Sequence, residues 1–147
     1  MKKAMAGSYL YTIIIVFMVI VFAFIMGTIL YYKSFKTNKM ILATIEKYEG
    51  YNSFSITEID RNLKAIGYNV LADGSCPKKE NTNALFPYST NYKYCVYYFD
   101  NDDDGLAGNV YYTYGVLTYV TLDFPFVNLY IKMPIYTKSN RIFRFGA

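Results

Sequence analysis

The sequence predicts an α+β protein: a single N-terminal transmembrane helix, prolonged as an amphipathic helix and packed on a small antiparallel sheet, with one short extra helix. Three observations carry this prediction. Residues 13–30 read IIIVFMVIVFAFIMGTIL and contain no charged side chain. Beyond Lys33, apolar residues recur at helical spacing as far as Tyr48. From Tyr68 onward the chain turns to runs of Tyr, Val and Thr broken by Gly, Pro, Asn and Asp, the chemistry of strands and turns. The 147 residues suffice for one small domain on an anchor. They divide into a basic leader (1–7), a transmembrane and amphipathic helix (8–50) and a small extracytoplasmic α+β domain (51–147).

The anchor comes first. At 1.5 Å per residue, residues 13–30 span about 27 Å, close to the ~30 Å hydrocarbon core of a bilayer. Tyr9, Tyr11, Tyr31 and Tyr32 flank the run, where aromatic residues sit at membrane interfaces. A cleaved secretory signal has a shorter apolar region and a small-residue cleavage site after it. Here LYYKSFKTNK follows, so the apolar segment is expected to stay.

The amphipathic continuation presents Phe35, Ile41, Leu42, Ile45 and Tyr48 on one side, with Lys39, Glu46, Lys47 and Glu49 on the other. No proline interrupts residues 8–49, and Gly50 offers the stop, giving one helix about 60 Å long. A second helix is signed by Ser55 and Glu58 as an S-x-x-E capping box, by Ile56, Ile59, Leu63 and Ile66 on one face, and by Gly67 as its left-handed terminus. Expected strands follow at 68–71, 92–99, 110–122 and 126–133, with an edge at 141–145 and a loop over 73–90.

The net charge of +4 hints at a polyanion until it is divided. Lys2, Lys3, Lys33, Lys36 and Lys39 are the only charges before Glu46, and all eleven acidic residues lie at or beyond it. The basic excess therefore belongs to the membrane flanks, where lysine meets lipid headgroups. Membrane lipid is the expected partner; nucleic acid and a small-molecule substrate are not. The 18 tyrosines could form a stacking platform, but sheet packing is the favoured reading because no accompanying charge pattern stands out in the sequence.

Cys76 and Cys95 suit a disulfide in an oxidising exterior, worth about 3 kcal/mol if unstrained. That places the C-terminal domain outside; two reduced thiols in a cytosolic domain remain the alternative. Ala23 and Gly27 form a small-x-x-x-small pair on which a partner helix could pack.

No catalytic constellation is visible. Histidine is absent, two cysteines do not make a zinc site, and no phosphate-binding loop or nucleophile elbow occurs. An enzyme is not expected, nor is a cofactor. One candidate metal site remains, in YYFDNDDDGLAGNVYYTYG at 97–115. Asp100, Asp102, Asp104 and Gly105 match the opening of a helix–loop–helix calcium loop, whose twelfth position should be Glu but is Tyr111. The favoured reading is a polar turn between strands, with weak calcium binding as the alternative.

MKKAMAG followed by SYLYTIIIV resembles a prepilin leader: a few basic residues, a glycine, then a retained apolar helix. The plan of the chain resembles the pilin-like proteins of bacterial type IV systems. The closing VTLDFPFVNLYIKMPIY and the compact length resemble the TadE-like pseudopilins of the tight-adherence pilus. The resemblance implies cleavage between Gly7 and Ser8, partnership with other pilin-like subunits and their assembly machinery, and incorporation into a surface pilus. Such subunits usually carry Glu at the fifth place after the glycine, and that place is Thr12, which implies a minor or accessory subunit. The competing class is an orphan single-pass anchor displaying an extracellular binding module.

Overall fold

Helix α1 (Lys2–Lys47) opens the chain and α2 (Ser53–Ala65) follows. Strands β1 (Ala84–Leu85), β2 (Tyr94–Asp100), β3 (Tyr111–Asp123), β4 (Tyr130–Lys138) and β5 (Ile142–Phe143) complete it. This computed structural model describes residues 2–72, 75–79, 82, 84–85, 91–100, 111–123 and 130–143. The chain forms two compact units, Met1–Lys33 and Ser34–Ala147, taken in turn below.

The first unit is helical throughout its described residues. Its helix starts at Lys2 instead of near Ser8, because Lys, Ala and Met in the leader are good helix formers and no proline stops them. It is long and apolar enough to cross a membrane, with a mean hydropathy of 3.1 over its most apolar window. Its large side chains are exposed on every side, from Ile13 to Ile29. A helix apolar all round is built for an apolar solvent.

In the second unit, the last turns of α1 pack into a core with α2 and the sheet. Ile41, Leu42 and Ile45 are buried as expected, beside Ile59 and Leu63 of α2. Phe35 departs from the expected stripe: it is 38% exposed, with Lys39 Nζ 5.4 Å above its ring. Thr37 and Asn38 are buried instead. The reason lies on β4, an edge strand, where Asn38 Nδ2 donates to the Ile135 carbonyl at 2.9 Å. A buried backbone acceptor needs a donor, and phenylalanine has none.

Two termini also differ from expectation. The residue with positive φ after α1 is Glu49 (φ 51), not Gly50, and the Tyr112 hydroxyl donates to the Glu49 carbonyl at 3.1 Å, holding that turn. At α2 the capping box joins Asn52 and Ser55, not Ser55 and Glu58. Ser55 N–H donates to Asn52 Oδ1 and Asn52 N–H to Ser55 Oγ, both at 2.9 Å. Asn caps as well as Ser, and Asn52 sits three residues earlier, so the helix begins there. Glu58 is free to face α1, where Lys47 Nζ lies 3.0 Å away and the Tyr48 hydroxyl donates to it. Gly67 ends the helix region at φ +68, as expected.

The sheet is antiparallel, in the order β1-β2-β3-β4, with β5 also on β3. The expected strand at 68–71 is reduced to one bridge, Leu71 to Tyr92, while β1 arises inside the expected loop. Strand β4 runs to Lys138, five residues beyond the expected end, and residues 126–129 lie outside the described set. At Ser139 the register shifts by one, from Gly115 opposite Lys138 to Tyr112 opposite Ile142. Ser139 fills the gap with both groups: its N–H donates to the Tyr114 carbonyl at 2.7 Å and its Oγ accepts from Tyr114 N–H at 2.9 Å.

Side chains alternate between the two faces of the sheet. Tyr94, Val96, Tyr112, Tyr114 and Val116 face the helices, and Cys95, Tyr97 and Leu117 face the other way, beside Cys76, Ala84, Phe99, Tyr119 and Tyr136.

Candidate functional site

The residues singled out by sequence fall into three places, each taken by itself. The first is the apolar part of α1. Gly7 and Ser8 lie inside its opening turns, and a Cβ on Gly7 would meet nothing within 4 Å. Thr12 donates its hydroxyl to the Ser8 carbonyl at 3.0 Å, one turn back. A lone hydroxyl in a membrane helix is satisfied this way, and Thr28 repeats the pattern on Phe24 at 2.9 Å. Ala23 and Gly27 share one side of the helix, in a shallow groove lined also by Ile20, Phe24, Thr28 and Tyr31. A Cβ on Gly27 also has nothing within 4 Å.

The second place is the cysteine pair. Cys76 and Cys95 lie at disulfide distance, with Cα atoms 6.0 Å apart. Cys95 is fully buried on the outward face of β2, so the segment bearing Cys76 is tied across that face. The Tyr97 hydroxyl reinforces the tie by donating to the Pro77 carbonyl, and burial raises the pKa of that phenol.

The third place is the acidic turn. Asp100 ends β2 opposite Tyr112, and the Tyr98 hydroxyl donates to its Oδ2 at 3.3 Å. Asp102 and Asp104 lie outside the described residues. Residues 101–110 connect two paired strands, where a helix–loop–helix calcium site would have two helices. Among the described residues, no group of three or more carboxylate, cysteine or histidine side chains is placed to hold a metal.

The inward tyrosines act as packing groups. Tyr98, Tyr112 and Tyr114 meet pairwise with centroids 5.5–5.8 Å apart. Tyr51 donates to the Tyr94 hydroxyl at 3.2 Å, and burial raises both phenol pKa values far above their ordinary range. Asp60, on α2, has its own pKa raised by burial, against which a backbone bond from Asn91 acts. Its Oδ1 is buried without a hydrogen-bond partner.

Sequence reasoning missed one arrangement: a set of lysines and an arginine seated over aromatic rings of the sheet. Only the alternation of residues 111–121 and 132–138 could have signalled it. No protein-family model, curated protein or solved structure matches this chain.

Proposed function

We propose that the protein is a single-pass, membrane-anchored subunit that works as a minor or accessory pilin-like component of a bacterial surface pilus or a related secretion or adhesion machine. The carrying observation is the division of labour along α1. Its apolar segment is exposed all round, and its last turns bury Ile41, Leu42 and Ile45 against an antiparallel sheet. One helix thereby serves as lipid anchor and as part of the core of a small α+β domain. The cysteine pair supports placing that domain outside the membrane.

In this reading the chain is cut after Gly7 and Ser8 begins the mature subunit. An apolar helix is costly to move into water, but it passes from lipid into a bundle of similar helices without that cost, packing by shape. Ala23 and Gly27 allow the close approach. Thr12 has no carboxylate to offer a neighbour's amine, and its hydroxyl is engaged with Ser8; this favours an accessory role over that of main subunit. The same observation favours the second reading, an orphan anchored module that displays its sheet and joins no fibre.

N-terminal sequencing of the membrane-extracted protein separates the two. The pilin-like reading expects Ser8 as first residue, small amounts of the protein in sheared fibres, and uncut protein in the membrane for Gly7→Leu. A chain that keeps its leader and never enters fibres leaves the anchored module as the function.

A further inference from the structure

The second unit has two ends, and one of them is where the chain enters it at Ser34. Strand β4 runs in the same direction as the last turns of α1: the Ile135 carbonyl accepts from Asn38, and Asn140 N–H donates to Glu46 Oε1 at 3.0 Å. Strand β3 runs opposite to β4 and β2 opposite to β3, so β2 shares the direction of α1. Asn38, Ile135, Thr118 and Tyr94 therefore form one row across the unit. Residues of β3 after Thr118, of β4 before Ile135, and of the segment leading into β2 before Tyr94 all lie toward Ser34.

Three large apolar side chains are exposed at that end. Phe35 is 38% exposed on α1, Met133 43% on β4 opposite Val120, and Leu71 71% on a segment bridged to Tyr92. Thr121 on β3 ties that segment down by donating to Asn69 Oδ1 at 3.4 Å. Two strand residues cover about 7 Å and four helical residues about 6 Å, so Leu71 and Met133 stand about level with Ser34. At the opposite end Phe54 is 72% exposed, close to Asn52, whose side chain donates to the Tyr48 carbonyl at 3.3 Å. From Ser34 to Lys47 the helix climbs about 20 Å.

We propose that the second unit rests on the bilayer by its Ser34 end, with Leu71 and Met133 set among the lipid headgroups beside Phe35. The apolar run of α1 ends at Leu30, and Tyr31 and Tyr32 follow as interfacial residues, so chain continuity brings Ser34 to the headgroups. Lipid is thus the apolar phase within reach of these side chains, and they gain by leaving water. A headgroup layer is only ~5–8 Å deep, which leaves Phe54 beyond it. Charge does not select this end, since Asp123 closes β3 there while β4 carries Lys132; the apolar side chains do. The inference rests on the anchor reading of residues 13–30 and holds whether or not the leader is cut.

The chain contains no tryptophan, so a single introduced one reports its own surroundings. The test places the full chain in phosphatidylcholine vesicles whose acyl chains carry bromine close to the glycerol, a contact quencher of indole emission. Leu71→Trp is expected to lose at least about half its emission relative to unbrominated vesicles, since a ring ~5–10 Å into the headgroup boundary meets the bromines. Phe54→Trp, of nearly equal exposure, should keep its emission. Should the Leu71 variant misfold, Met133→Trp reads the same end. Unquenched emission from the folded Leu71→Trp protein overturns the proposal, as does equal quenching of Phe54→Trp. Tyr31→Trp should be quenched in either case; if it is not, the anchor reading fails and this inference with it.

Discussion

Residues 13–30 and residues 37–45 belong to one helix, yet they meet opposite demands. In the first, Phe17 and Phe24 share one side of the helix and Phe22 lies on another, yet all are exposed, Phe24 by 74%. In the second, Ile41 and Ile45 are wholly buried, and so are Thr37, Asn38 and Thr44 beside them. The first segment is uniformly apolar, long and apolar enough to cross a membrane. The second is mixed because it meets a sheet edge that has polar needs of its own. Apolar content therefore marks the membrane segment, whereas burial in the domain is marked by what each side chain touches.

The largest expected effect tests this separation directly. Ile45→Ala should lower domain stability by about 2–5 kcal/mol, the cost of emptying a buried site. The fall would be read as a shift in denaturation midpoint from the near-ultraviolet signal of the tyrosines in micelles. Ile20→Ala should change that midpoint by less than about 0.5 kcal/mol. Ile20→Arg, by contrast, should weaken membrane insertion by roughly 2.5–3.5 kcal/mol, visible as release in alkaline extraction. Equal damage to the domain from Ile20→Arg and Ile45→Ala would show that the two regions are not held separately.

Glycine sharpens the same contrast. A Cβ at Gly115 would lie 2.7 Å and 2.8 Å from Cε2 and Cζ of Tyr136. That ring also packs edge-on against Tyr97, with centroids 6.3 Å apart, so it has little room to retreat. Gly115→Ala should cost about 1–3 kcal/mol by overpacking. Gly27→Ala meets nothing within 4 Å and should leave the domain midpoint unchanged. Thermal melts of the two variants side by side decide the matter.

The smallest effects concern α2. Asn52→Ala should cost about 1 kcal/mol by removing the cap. Glu58 and Asp60 should show opposite pH behaviour. The Tyr48 hydroxyl and then Lys47 lower the Glu58 pKa. Its contribution is therefore present above the ordinary carboxylate range and lost as pH falls through the lowered value. Burial raises the Asp60 pKa, so its penalty is absent in acid and grows as pH rises through the carboxylate range. Asp60→Asn should remove that growing penalty, and Glu58→Gln should remove the acid-side loss. Denaturation midpoints between about pH 3 and pH 7 check both signs, since the range brackets ordinary carboxylate values.

Much of the fold was legible where the signal is local. The anchor, the α2 face of Ile59 and Leu63, the terminus at Gly67 and the central strands β2 and β3 all follow from composition and period. The failures share a cause. Phe35 was expected in the stripe on spacing alone, but the Ile135 carbonyl drew Asn38 inward. Ser55 was expected as a cap, but Asn52 competes for the same role three residues earlier. The cations of the outward face were summed over the chain and nearly cancelled by its acids. Only pairing shows that Lys132, Lys138 and Arg141 sit over rings of one face.

The sequence by itself determined that residues 13–30 form an apolar helix, because transfer into lipid is a sum over neighbouring residues and needs no partner. It determined the antiparallel strands in outline, because alternation and turn residues act over a few positions. Tertiary structure alone decided which polar groups are buried and which charges share a face. Those choices depend on strand register and on unsatisfied edge groups, which join residues as distant in the chain as Asn38 and Ile135.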